Sequence, residues 1–170
     1  MKKLMFNITA CLKYFKNNLI FTLILFIASL LSGVIIFHSN KIPINPVSPS
    51  FNTLLLNNLL VCLTIIFSGI ISFGFFGNFV LIANSVFLGR VIVGVYNMYG
   101  ISPILKYLAP HFIFEITALL IATAISQETN KFFYNFRHTD IRVIRIKYDL
   151  IALLIMLTLL CVAAFIESQL

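Results

Sequence analysis

From residue 53 to residue 84 the sequence carries no charged side chain and is apolar almost throughout. A stretch of that length needs a solvent that does not penalise apolar surface, and it exceeds the roughly 20 residues one helix needs to cross a bilayer. The chain therefore crosses, turns and crosses back, or a part of it re-enters from the side it left. Residues 74–78 are the place for the break, because Gly74, Gly77 and Asn78 suit a tight turn. A re-entrant or broken helix is the alternative, since no charge in the turn fixes its side. The remaining sequence has the same character: 61% hydrophobic residues, 10% charged residues and a mean hydropathy of +1.05 exclude a water-soluble globule.

The expected fold is all-α, a polytopic transmembrane helix bundle of about five helices at 18–37, 53–73, 79–98, 104–126 and 149–166. Together they form one membrane domain over 1–170. The apolar run 19–37 is long enough to span and lacks a small-x-small cleavage site, so it reads as a retained first helix and not a signal peptide. Ahead of it Lys2, Lys3, Lys13 and Lys16 alternate with Phe6, Leu12, Tyr14 and Phe15, a short basic amphipathic lead suited to a membrane surface. Residues 38–52 contain Pro43, Pro46 and Pro49 and read as a loop.

Residues 127–147 are the one sizeable polar segment, with Lys131, Arg137, Arg142, Arg145 and Lys147 against Glu128 and Asp140. A cytoplasmic N-terminus puts this segment and the lysine-rich lead on the cytoplasmic side, as the lysine and arginine bias of membrane proteins requires. That bias, together with anionic lipid headgroups, accounts for the net charge of +7 without nucleic acid. The segment is also the expected docking surface for a membrane or peripheral protein, through Arg137, Arg142 and Arg145; charge that only sets topology is the alternative.

Few ionisable groups lie inside the spans, and such groups usually face a partner. His111 and Glu115 are one helical turn apart in the fourth span, and Pro110 removes a backbone hydrogen bond and breaks the helix just before His111. At 1.5 Å per residue Arg90 of the third span lies within about one turn of Glu115 in depth, so the two are expected to pair. Ala83, Arg90, Gly94 and Asn97 share one helix stripe, and His111, Glu115, Ala118, Ala122 and Ser126 share another. With Asn84 these give an expected intramembrane polar cluster of Arg90, His111, Glu115, Asn84 and Asn97. It serves either helix register or a transport or proton-relay step.

No nucleophile stands at a defined spacing and no His-Glu-x-x-His pattern occurs, so no catalytic residue, metal or cofactor is expected. Cys11, Cys62 and Cys161 lack ligand spacing and read as free thiols. Ser29 and Gly33, four apart, offer a close-packing face on the first span. Asn17-Asn18-Leu19 is echoed by Asn57-Asn58-Leu59, which is either a trace of an internal repeat or chance.

Several of these residues fall in an ordered set: Asn57 and Asn58 opening the second span, Gly69, Gly74 and Gly77, the step from Asn84 to Gly89, and Pro110, His111 and Glu115. In this set the chain resembles the stage II sporulation protein M family of integral membrane proteins. It departs from the family pattern at Ser85 and Phe112, where glycine is usual, and Phe112 would fill space beside His111. The resemblance implies a multi-pass protein of the bacterial cytoplasmic membrane acting as a non-enzymatic subunit or scaffold of an envelope complex, with cell-wall-remodelling enzymes as partners. Small relatives imply an alternative: a component for maturation, export or immunity of a circular bacteriocin, working on a hydrophobic peptide with a separate ABC ATPase. An intramembrane peptide-processing enzyme using His111 and Glu115 ranks below both.

Overall fold

The computed structural model describes residues 2–43, 50–138, 141 and 143–169, and the side chains of all of these except 2–6 and 137. Among the described residues there are six α-helices: α1 (Lys2–Ile36), α2 (Phe51–Ile71), α3 (Phe75–Tyr99), α4 (Ala109–Ser126), α5 (Asn130–Arg137) and α6 (Ile146–Glu167). A π-helical turn, Ile104–Leu108, leads into α4, and a 3-10 turn, Gln127–Thr129, joins α4 to α5. Among the described residues five stretches are long and apolar enough to cross a membrane: Asn7–Ile36, Phe51–Ile71, Phe75–Tyr99, Ile104–Phe136 and Ile146–Glu167.

The amphipathic lead and the first span are one continuous helix, not two elements meeting at residue 18. No proline and no glycine before Gly33 interrupts the run, so nothing stops the first span from extending back to Lys2. Its Ser29 and Gly33 face is used as expected. Gly33 lies against the backbone of Val86, and Gly89 lies against Leu30, Val34 and Gly33, so α1 and α3 cross with their backbones in contact. Between helices in lipid, where apolar burial gives no net drive, such close approach is the main source of attraction.

The break in the long uncharged stretch is a tight turn, placed a few residues before 74–78. Ser72 ends α2, Phe73 (φ 54°) and Gly74 (φ 90°) take left-handed backbone, and Gly74 N donates to Gly69 O at 2.7 Å. Ser72 Oγ accepts from Phe76 N at 2.7 Å and so satisfies one free amide of α3. Gly77 and Asn78 consequently lie inside α3. Gly77 serves packing there, since a Cβ on it would sit 2.5 Å from Ser126 Oγ and 2.9 Å from Ile65 O.

The span containing α4 is the centre of the bundle: 44% of its most apolar window is buried, against 22–28% for the other four. It touches α1, α2, α3 and α6, and its longest interface is with α6. Ala118, Ala122, Ile121 and Ile125 of α4 share one core with Cys62, Ile65 and Ile66 of α2 and Ala152, Met156 and Leu160 of α6. Pro110 does not break the helix as expected: the helical backbone runs on through it, and its missing N–H is absorbed by a wider turn just upstream. The amide of Ala109 reaches back to Ile104 O, a π-type bond that widens the turn ahead of the residue lacking an N–H. Residues 127–147 are less of a loop than their polarity implies, because the 3-10 turn and α5 prolong α4 through Arg137.

Candidate functional site

One end of the bundle gathers the start of α2, the start of α4 and the end of α6. His111 and Glu115 face into it from successive turns of α4, and Glu167, the last residue of α6, completes the group. One ligand atom from each of the three lies within 4.8 Å of the others. His111 is 5% exposed, and its Nε2 stands 3.9 Å from Glu167 Oε1, too far for a hydrogen bond. Its Nδ1 has no hydrogen-bond partner among the described residues. Phe112, where the related pattern has glycine, sets its ring edge-on to the imidazole with centroids 5.2 Å apart.

Glu115 Oε1 accepts a hydrogen bond from Asn58 Nδ2 of α2. Beneath it a small cavity of about 50 Å³ is lined by Asn58, Cys62, Asn84, Glu115, Leu119 and Leu160, among others. That is space for a few waters, which need about 10–15 Å³ each and polar partners. Asn84, whose Nδ2 donates to Val80 O at 2.9 Å, is thus brought to the edge of the site. The asparagine echo has a counterpart in space, since Asn18 likewise donates to α4, at Ala124 O over 3.2 Å.

The expected pairing of Arg90 with Glu115 is not formed. Arg90 is exposed, and its guanidinium sits 5.2 Å from the centroid of the Phe37 ring at the end of α1. The cause is Gly89: it locks α3 onto α1, and the next residue on the helix is then turned away from α4. Asn97 also leaves the cluster. Its Nδ2 donates to His38 O at 2.6 Å and Asn40 O at 2.9 Å, tying the segment after α1 to the end of α3. Of the five residues expected together, His111 and Glu115 meet, Asn84 lies nearby, and Arg90 and Asn97 belong elsewhere. Sequence reasoning missed Glu167 as a member, although a carboxylate ending the last apolar run at the level of the fourth span's His and Glu was a usable signal.

A second polar cluster occupies the opposite end. Tyr14 OH donates to Glu128 Oε2 at 2.5 Å and accepts from Lys131 Nζ at 2.6 Å and from the Arg145 amide at 3.1 Å. Lys131 Nζ also pairs with Glu128 Oε2 at 2.6 Å. Arg145, expected at a docking surface, is exposed, with its guanidinium 6.0 Å from the Tyr14 ring and 5.8 Å from the Tyr148 ring. Arg142 and the side chain of Arg137 lie outside the described residues. This cluster ties α1 to the 3-10 turn, α5 and the start of α6, and Asp149 beside it keeps one buried carboxylate oxygen without a partner among the described residues, as His111 keeps its Nδ1.

The three free thiols are Cys11 and Cys62, both buried, and Cys161, exposed on α6. The family described as Stage II sporulation protein M has a model that matches residues 22–170. No curated protein and no solved structure matches the chain.

Proposed function

Because the chain belongs to the stage II sporulation protein M family, we propose that it is a non-enzymatic subunit of a bacterial envelope complex, anchored in the cytoplasmic membrane with its N-terminus inside. The observation that carries this reading is how the chain is distributed. The five apolar stretches take up most of the described residues, and the connections between them are short. A chain built this way offers partners a lateral helix surface and the basic end around α5, where Phe132, Phe133 and Phe136 are exposed beside Lys131 and Arg145. Exposed aromatics beside cations at the end of a span suit the membrane interface.

The test is recovery of the tagged protein from native membranes in mild detergent after brief crosslinking. Co-purification of a defined envelope protein supports the reading, and recovery of the chain only as a monomer overturns it. A second reading, a permease-like component for maturation, export or immunity of a circular bacteriocin with a separate ABC ATPase, is favoured by the small cavity into which Asn58, Asn84 and Glu115 bring polar groups among apolar neighbours. A peptide precursor and an ATPase encoded next to this gene support that reading, and cell-wall genes in their place support the first.

A further inference from the structure

We propose that His111, Glu115 and Glu167 form a binding site for one divalent transition-metal cation, with Zn²⁺ the best match. The site goes beyond the scaffold reading and does not depend on it. Three donors drawn from two helices converge within 4.8 Å, without any of the sequence spacing that marks a metal motif. One donor is an imidazole that is 5% exposed, with Nδ1 unpartnered and Nε2 held 3.9 Å from a carboxylate oxygen. A buried polar ring left this way is costly unless something else meets it.

The charges lead to the same conclusion. Glu115 and Glu167 approach each other where lysine and arginine are scarce, and neither pairs with such a residue among the described residues. Two carboxylates near the hydrocarbon repel each other and resist desolvation, and a doubly charged cation offsets both at once. The last turn of α6 ends here as well, and the partial negative charge of a helix C-terminus favours a cation.

The donor set selects the class of ion. One imidazole with two carboxylates is a three-ligand arrangement of the kind that leaves zinc a fourth position for water. Calcium takes six to eight oxygens, and magnesium keeps several of its waters, so neither matches a compact set containing nitrogen. Asn58 holds one oxygen of Glu115, which orients the carboxylate and leaves its other oxygen for the ion, as outer partners of metal ligands commonly do. The Glu167 side chain, 28% exposed, provides the route of entry for the ion and its water. A bound ion would fasten the end of α6 to α4 at the α2 end of the bundle.

The experiment uses the full chain purified in detergent without a polyhistidine tag, stripped with a chelator and re-equilibrated with Zn²⁺. About one zinc per chain should survive gel filtration, and Zn²⁺ should raise the unfolding temperature. Glu167→Gln should lower zinc affinity at least about tenfold, the scale on which metal sites respond to losing a supporting group. The same change should abolish the zinc-dependent rise and the visible ligand-field absorption of the Co²⁺-loaded protein. Glu167 ends a helix and is partly exposed, so this variant keeps its fold; protection of the buried Cys62 thiol checks that it has. If His111→Gln or Glu115→Gln fails to fold, the Glu167 comparison still decides. The proposal is overturned by substoichiometric zinc in the folded protein, or by equal affinity in Glu167→Gln. Equal stabilisation by Mg²⁺ or Ca²⁺ overturns the assignment to a transition metal.

Discussion

Replacing Gly33 with alanine should loosen the crossing of α1 and α3. A Cβ at Gly33 would stand 2.2 Å from Val86 O and 2.9 Å from Val86 Cα, both backbone atoms that cannot rotate away. Restoring ordinary contact means moving the helices apart by roughly 1 Å, and a gap of that size forfeits a quarter to a half of each van der Waals contact along the seam. Overpacking of this kind costs about 1–3 kcal/mol, and a backbone obstacle puts Gly33→Ala at about 2–3 kcal/mol. For a chain of this length each kcal/mol lowers the unfolding temperature by about 2–4 °C, so a fall of roughly 4–12 °C is expected. A thiol-reactive dye in detergent reads it directly in a Cys161→Ser background, because the two remaining thiols, Cys11 and Cys62, are buried and react on unfolding. Gly89→Ala meets Leu30 O at 2.3 Å on the same seam, so the double variant should lose less than the sum of the singles. An unchanged unfolding temperature for Gly33→Ala, or strict additivity in the double variant, would show that this crossing is not the one drawn here.

Arg90→Leu should be nearly neutral in detergent, because the guanidinium rests on Phe37 and pairs with no acid among the described residues; Glu115→Leu should destabilise by leaving Asn58 without its acceptor. The double change should then show no rescue, and recovery of stability in it would restore the Arg90–Glu115 pair. Tyr14→Phe removes the hydroxyl shared by Glu128, Lys131 and the Arg145 amide and should cost about 1–3 kcal/mol, measured by the same dye assay; no loss would mean the three groups are met another way. Neutralising Arg137, Arg142 and Arg145 together should lower partner recovery from native membranes while insertion is unchanged, and undiminished recovery would remove the docking role.

Composition and patterning alone determined the class of the fold and the number of spans. Long uncharged runs have one solvent, and in it each backbone polar group must be satisfied within its own helix, so length and apolarity translate into spans with little ambiguity. The disturbance near Pro110, though a widened turn and not a break, the tight turn near Gly74 and the proximity of His111 to Glu115 are local properties, set by a missing N–H, a left-handed residue and one helical turn, and they too were legible. Rotation about each helix axis was not. Matched depth put Arg90 beside Glu115, but depth leaves azimuth free, and azimuth was fixed by Gly89 pressing α3 onto α1. Tertiary structure likewise brought Glu167, more than fifty positions away in sequence, to His111. It also joined Tyr14 to Glu128 and Lys131 at the polar end, across more than a hundred positions of sequence. Sequence specifies which groups a helix carries and how deep they lie; only the packing of small residues between helices decides which way they face and whom they meet.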